Sequence, residues 1–406
     1  MPPSVANIVI DGNFLLHEPV TSEELRMDPP SERPFNEGSC ELVCERMHGD
    51  RARTPFTRSG EHRMDAVGSA IIDFTEAAYD LAISDEEWLP AVLRRGLPVL
   101  DQGLGVAGYE YGRPPDRGDV QIMRLHVASG PEDFAERHLQ ALATTEPDVL
   151  RDQLRPIAAT TGSEYAKVTN RPQDLEHYLS HVDYGKDVLF LTAVDLKGAG
   201  VAIVAPLAEV TALSRHDTER WQMLTAHVET GHRLRHGLSP RVTAEESATE
   251  LPLSAEAIFD ASSFRLTDAA GRAQEGTATE KLREAAVHVD RARGRLRKDN
   301  PDEALQIWKA LVRGRWSMVD WFDSDHRRYV LAVPNSPTVN DPRGLTEREN
   351  QVVSAAVLGH SNKMIAYRLG LSTSRVSTVL RNAMRKLGFR TRTELVRHMV
   401  HFQALD

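Results

Sequence analysis

Apolar residues first recur with a helical period at Val67, Ile71, Phe74, Ala78 and Leu81. Steps of three and four put them on one face of a helix. Ser84 stands as the N-cap of the next such run, DEEWLPAVLRRGLPVL. The period then changes. GLGVAGYEYG and DVQIMRLHV predict strands on either side of the turn-forming GRPPDRGD. Helices are expected over 131–144 and 147–155. The apolar runs DVLFLTAVD and GVAIVAPL, separated by LKGAG, predict a β-hairpin. A long helix over 217–236 carries Trp221, Leu224, Val228, Gly231, Leu234 and Leu238 at steps close to a heptad seam. Leu224 and Val228 are therefore expected at a dimer contact.

Beyond a polar, Pro-containing linker over 239–252, AEAIFDASSFRLTDAAGR predicts a second hairpin, turning at Asp260–Ser263. A basic helix follows, with Leu282, Ala285, Val289, Ala292 and Leu296 on one face, and then the helix ALQIWKALVRG. RWSMVDWFDSDHRRYVLAVPN reads as two alternating strands around DSDH, and PNSPTVNDPRG as a linker. The last segment is punctuated differently. Thr346 with Glu349 forms a capping box ahead of Val352, Val353, Ala356 and Val357, and Gly359 ends that helix. Ser361 caps a second helix with Met364, Ile365 and Leu369 inward, and Gly370 allows a tight turn. Ser372 caps a third, with Val376, Val379, Leu380, Ala383 and Leu387 apolar, and Gly388 closes it. Thr391 with Glu394 opens a fourth, carrying Leu395, Met399 and Phe402. Four short helices with a helix-turn-helix at their centre are expected.

Composition narrows the class. At 406 residues, 41% hydrophobic and 27% charged, the chain has room for two or three globular domains. It lacks a run of about 18 apolar residues and a basic start followed by an apolar core, so neither a membrane span nor a secretory signal is expected. Residues 1–63 are polar and Pro-rich apart from the strand-like IVIDGNFLL, and predict a disordered extension. Translation from Met64 would remove that extension. The two cysteines, Cys40 and Cys44, exclude a disulfide framework and point to a cytoplasmic setting. They also fall short of the four ligands of a structural zinc site.

Charge is distributed unevenly. Between Gly344 and Phe402 ten Lys/Arg stand against three Glu, a net of +7, which leaves −17 for the rest of a chain of net charge −10. An acidic body with a basic end assigns a polyanionic partner to that end alone. On the third helix, Ser374, Ser377, Thr378, Arg381 and Arg385 lie opposite the apolar face. There arginines can pair with guanine edges, and serines and threonines with bases or phosphates. Lys363 and Arg392 suit phosphates.

Other motifs yield to plainer readings. Gly103, Gly105 and Gly108 have the spacing of a dinucleotide loop, but YEYGRPP after them cannot start the helix that such a loop requires. They read as a strand entry. His227, His232 and His236 share one predicted helix. His232 and His236 are four apart, a spacing able to share a metal, but the sequence sets no third ligand beside them. A solvated helix face is the expectation. Asp323, Asp325 and His326 belong to a hairpin turn. No catalytic residue, metal or cofactor is expected.

GLTERENQVVSAAVLGHSNKMIAYRLGLSTSRVSTVLRNAMRKLGFRTRTELV resembles the LuxR-type helix-turn-helix of bacterial transcription regulators. The likeness covers about 55 residues. It implies double-stranded DNA as partner, Ser372–Leu387 as recognition helix, and Lys363 and Lys386 near the DNA backbone. Where that family commonly has Thr-Val-Lys and then His, this chain has Arg375, Val376, Ser377 and then Val379. The customary lysine contact is thus replaced, leaving Arg375 and Arg381 to compensate or affinity to depend on dimers. Upstream, the order of elements resembles a GAF-type sensor domain, and the second module a reduced PAS-like sheet.

The expectation is thus a multidomain α+β protein. Residues 1–63 are the extension, 64–240 a GAF-like domain with an antiparallel sheet, 241–340 the smaller α+β module and linker, and 341–406 an all-α DNA-binding domain. It reads as a cytoplasmic transcription regulator. The DNA set is Lys363, Ser372, Ser374, Arg375, Ser377, Thr378, Arg381, Arg385, Lys386 and Arg392. A homodimer, a small-molecule effector and RNA polymerase are the further partners. A ligand-independent DNA-binding or scaffold protein, and an enzyme with a DNA-binding tail, are the alternatives.

Overall fold

The computed structural model describes residues 69–112, 120–154, 159–183, 185–194, 199–238, 251–313, 315–335, 345–387 and 389–396. The N-terminal extension with Cys40, Cys44 and Met64, the strand read into IVIDGNFLL, most of both linkers, and Val67, Gly388, Met399 and Phe402 lie outside the described residues.

A helix over 69–78 (α1) and α2 (Asp85–Leu100) lead into β1 (Val106–Gly112) and β2 (Gln121–Ser129). Ser84 caps α2, its hydroxyl accepting from the Glu87 N–H. Asp101 closes the helix-to-strand turn by accepting from the N–H groups of Gly103 (2.7 Å) and Gly105 (3.1 Å). The glycine run thus feeds a strand. Helices α3 (Phe134–Ala143) and α4 (Pro147–Gln153) precede β3 (Ala159–Thr161), α5 (Gly162–Thr169) and α6 (Pro172–Val182). Then come β4 (Asp187–Val194), β5 (Gly200–Leu207) and the long α7 (Arg215–Leu238). The five strands form an antiparallel sheet in the order β2-β1-β5-β4-β3.

Both faces of this sheet are covered, which is why β4 and β5 read as continuous apolar runs. On β5, Val201, Ile203, Ala205 and Leu207 face α1, α2 and α7, while Ala202 and Val204 face α3, α4 and α6. The segment from β3 through α6 was not anticipated. It depends on Asp187, a fully buried carboxylate that accepts from the N–H groups of Ser163, Val188 and Thr211 and from the Ser163 hydroxyl. Those bonds tie the start of α5 to the sheet and satisfy the buried charge.

The second module is a four-stranded antiparallel sheet, β7-β6-β9-β8, built from β6 (Ala257–Asp260), β7 (Leu266–Ala269), β8 (Trp316–Phe322) and β9 (Arg328–Pro334). Helices α8 (Ala278–Arg293), α9 (Leu296–Asp299) and α10 (Pro301–Ile307) pack with it. In α8 it is Ala286 rather than Ala285 that is fully buried, and Leu296 belongs to α9. The helix expected over ALQIWKALVRG stops at Ile307, because Trp308 turns extended and buries its indole completely. One continuous core runs from α1 and α7 through this module.

The dimer seam read into α7 is corrected here. Leu224 and Val228 are buried inside the chain's own core, packed with α1, α2 and the sheet. Gly231 backs onto α1 so closely that a Cβ there would lie 1.9 Å from the Ala78 carbonyl oxygen. The periodicity marks an intramolecular face. Val228→Ala should therefore cost about 2 kcal/mol of stability, two buried carbons plus their cavity, and leave the sedimentation coefficient unchanged. A change of oligomeric state at unaltered stability would restore the seam.

Candidate nucleic-acid interface

Helices α11 (Glu347–Val357), α12 (Asn362–Leu369) and α13 (Thr373–Leu387), with a fourth helix entered over 392–396 (α14), pack around Val352, Val353, Ile365, Leu369, Leu380 and Leu395. The caps stand where the sequence put them. Thr346 accepts from the Glu349 N–H, and the Glu349 carboxylate accepts from the Thr346 N–H at 2.9 Å, completing the box. Ser361 accepts from Met364 N–H and Ser372 from Arg375 N–H, both at 3.2 Å. Thr391 accepts from Glu394 N–H at 3.1 Å. Gly370 makes the turn with φ of +60°, and a Cβ there would lie 2.3 Å from the Leu311 carbonyl oxygen. Both conditions demand glycine.

On α13, Val376, Val379, Leu380 and Ala383 are buried, leaving Ser374, Arg375, Thr378, Arg381 and Arg385 exposed on the outer face. Thr378 donates to the Ser374 carbonyl, and Ser372 and Ser374 share a hydroxyl contact at 3.1 Å. Ser377 is half-buried. It donates to the Thr373 carbonyl and accepts from the Asn362 amide, both at 3.1 Å, so it ties α13 to α12. Arg375, Arg381 and Arg385 make no ion pair among the described residues, and their guanidinium groups project from the domain.

Three of the expected phosphate contacts are engaged within the chain. Lys386 donates to Glu349 at 2.6 Å. Burial raises the Glu349 carboxyl, but the hydrogen bonds from Lys386 and Thr346 outweigh it and hold the group below its ordinary range. Arg392 is a half-buried strut, donating to Asn362 Oδ1 at 3.1 Å and to the carbonyls of Ala356 and His360. Lys363 reaches out of the domain to Glu219 on α7, 2.6 Å away, and its hydrogen bond lowers the Glu219 carboxyl. With the lysine largely exposed, that pair contributes little.

Two α12 residues that carried no expectation anchor the domain to the body. Arg368 donates to Glu229 of α7 and to His360 Nε2. Tyr367 is buried with its hydroxyl 2.7 Å from the Leu305 carbonyl, 2.9 Å from the Trp308 carbonyl and 2.7 Å from His227 Nε2. His227 Nδ1 lies 2.8 Å from the Tyr79 hydroxyl. The single Tyr367 proton serves the carbonyls, so its oxygen accepts from His227 Nε2–H and Nδ1 accepts from Tyr79. His227 and His232, expected on a solvated face, are both buried. The partners of His227 sit more than a hundred residues away, where helical periodicity carries no signal. A polar crevice lined by Thr192, Gln222, Thr225, Glu229, His360 and Arg368 marks the seam.

A family model described as bacterial regulatory proteins, luxR family, matches residues 343–399. HTH-type transcriptional regulators named MalT from Vibrio campbellii (strain ATCC BAA-1116) and Vibrio parahaemolyticus serotype O3:K6 (strain RIMD 2210633) are each 31% identical to the chain over 93 residues. That stretch is 23% of this chain and 10% of each relative. The chain thus spans about a tenth of the length of these curated relatives.

Proposed function

We propose that the LuxR-family helix-turn-helix domain formed by residues 343–399 binds double-stranded DNA and makes this protein a bacterial transcription regulator. The observation that carries the reading is the outer face of α13. Three exposed arginines, with Ser374 and Thr378, stand at helical steps on a helix whose other face is buried. Arginine forks match guanine edges in the major groove, and local positive charge attracts the phosphate backbone. Arg375, Arg381 and Arg385 are assigned the contacts that a lysine at 377 makes in the family, with Ser372 at the helix start near the backbone. The charge asymmetry supports the same division, since the acidic body has little affinity for a polyanion.

In this reading the antiparallel sheet with helices on both faces is a GAF-like sensor, and the second sheet a PAS-like module. A small molecule or a protein is the signal, α7 carries it to α12, and two copies of the chain bind paired half-sites with RNA polymerase as a further partner. The setting is cytoplasmic, and the role is binding rather than catalysis. No helix among the described residues is long and apolar enough to cross a membrane. Arg381→Ala should weaken binding to the cognate site by about 1–3 kcal/mol and relax preference there. Affinity measured on cognate and random duplexes checks this. Equal losses on both would make Arg381 a phosphate contact, and no loss on either would overturn the reading.

A further inference from the structure

We propose that Glu110, His232 and His236 form a binding site for a divalent transition metal ion of the zinc type. His232 and His236 sit one turn apart near the end of α7, with ring centroids 4.1 Å apart. The third ligand comes from β1, 122 positions upstream of His232, where the sequence set nothing beside the pair. One ligand atom from each of the three lies within 4.8 Å of the others, and this is the one such His/Cys/Asp/Glu group among the described residues. Bonds of about 2.1 Å at tetrahedral angles put ligand atoms about 3.4 Å apart. Rotation of the exposed His236 ring covers much of the remainder.

Two observations separate this cluster from an ordinary polar patch. Glu110 shares its face of β1 with Val106 and Gly108, the face that packs on α2 and α7. Gly108 comes so close to α2 that a Cβ would meet Leu93 at 2.9 Å. A carboxylate in such a layer, 3% exposed, is costly unless something compensates it. His232 is equally buried, and its Nε2 has no hydrogen-bond partner among the described residues. A cation answers both deficits. The charges of Arg124 and Arg235 nearby offset part of the cost of burying Glu110. Arg235 donates to Asp85 and to the carbonyls of Asp80 and Ile83, and Arg124 donates to the Asp85 carbonyl.

The donor set selects the ion. Two imidazoles and one carboxylate suit zinc, cobalt or nickel. Calcium and magnesium prefer all-oxygen sites, and copper(I) prefers sulfur. Three protein ligands leave a coordination position open toward the solvent side, where His236 lies. The bound ion would pin the last turns of α7 to β1, on the helix that also presents Glu219, His227 and Glu229 to α12.

The test uses the full chain, stripped with a chelator and titrated with Co(II) by visible absorption and with Zn(II) by calorimetry and thermal shift. One equivalent should bind with a dissociation constant below about 10 µM and raise the melting temperature. His236→Gln changes an exposed side chain and should leave the fold intact. Losing a ligand outright, it should weaken binding by about 100-fold or more, since even outer-shell changes cost 10–100-fold. Cys40→Ser/Cys44→Ser should bind like the parent, as should His177→Gln/His181→Gln, which alters the other histidine pair spaced four apart. Saturable binding that survives His236→Gln, or that disappears in the cysteine or His177/His181 variant, overturns the site, as does no binding up to about 100 µM. Glu110→Gln adds the third ligand if it folds, and His236→Gln decides the matter if it does not.

Discussion

Glu229→Ala should cost about 3–5 kcal/mol, the range for removing one member of a buried ion pair. The Glu229 side chain is almost wholly enclosed and accepts from Arg233 of its own helix and from Arg368 of α12, each at 2.5 Å. Arg368 is itself mostly buried, with His360 Nε2 as its other partner. Burial, followed by the charges of Arg368 and Arg392, holds His360 well below its ordinary pKa, so its ring is neutral and offers a lone pair. With the carboxylate gone, both guanidinium groups lose their shared counter-ion, Arg368 in a mostly buried position and Arg233 with Asn335 Oδ1 as its remaining acceptor. Urea denaturation followed by circular dichroism measures the loss. Amide hydrogen exchange should place it in α12 and the facing part of α7. Glu229→Gln keeps an acceptor and loses the charge, so it should fall between the parent and the alanine variant. A loss below about 1 kcal/mol would place Glu229 among surface ion pairs and deny it the anchoring role.

The same helix shows where a sequence reading reaches its limit. Caps and glycines act within a few residues, and the N-caps of α11, α12 and α13 stand as read, as do Gly359 and Gly370. Hairpins need only a turn and alternating neighbours, and β1–β2, β4–β5, β6–β7 and β8–β9 formed accordingly. Helix α7 is different because its buried face is polar. His227, Glu229, His232 and Arg235 lie in the interior beside Leu224 and Val228; His227, Glu229 and Arg235 meet polar partners brought from other elements, and His232 packs against the Trp88 ring of α2. Periodicity sees apolar residues alone. It therefore put the histidines in solvent and left the leucine and valine looking for a second chain. The segment over 159–182 was missed for a related reason. Its short strand and helices depend on a buried aspartate at 187 rather than on a long apolar stripe. Among the DNA-binding assignments, the exposed arginines follow from the apolar positions of α13. Lys386 and Arg392 do not, because long basic side chains fold back onto acceptors that no spacing rule locates.

Lowering the pH from 7 to 4.5 should destabilise the protein, and His227 should account for a measurable share. Burial is the main cause of a pKa lowered from 6.5 to about 3, with the neighbouring Lys309 ammonium adding to it and a hydrogen bond involving Trp308 opposing it. Tyr79 and Tyr367 face the ring from either side and stay neutral, burial having pushed both hydroxyls up. His227 is therefore neutral in the folded chain throughout this range. In the unfolded chain it takes up a proton near its ordinary pKa of about 6.5. Its contribution is present in full above that value and is lost as pH falls toward the folded pKa. Over pH 4–5.5 the unfolded state holds nearly one more proton at this site, so stability should fall by about 1.4 kcal/mol per pH unit on its account. His138, lowered to about 4 by burial, acts in the same direction. Urea midpoints at pH 7.5, 6.5, 5.5 and 4.5, converted with a common slope, give the gradient. His227→Gln removes the titrating ring and should lower that gradient by about 1.4 kcal/mol per unit, whatever stability it loses at neutral pH. An unchanged gradient would mean that His227 exchanges protons with solvent in the folded state. That would be incompatible with an imidazole held between two tyrosine hydroxyls, Tyr79 just after α1 and Tyr367 on α12.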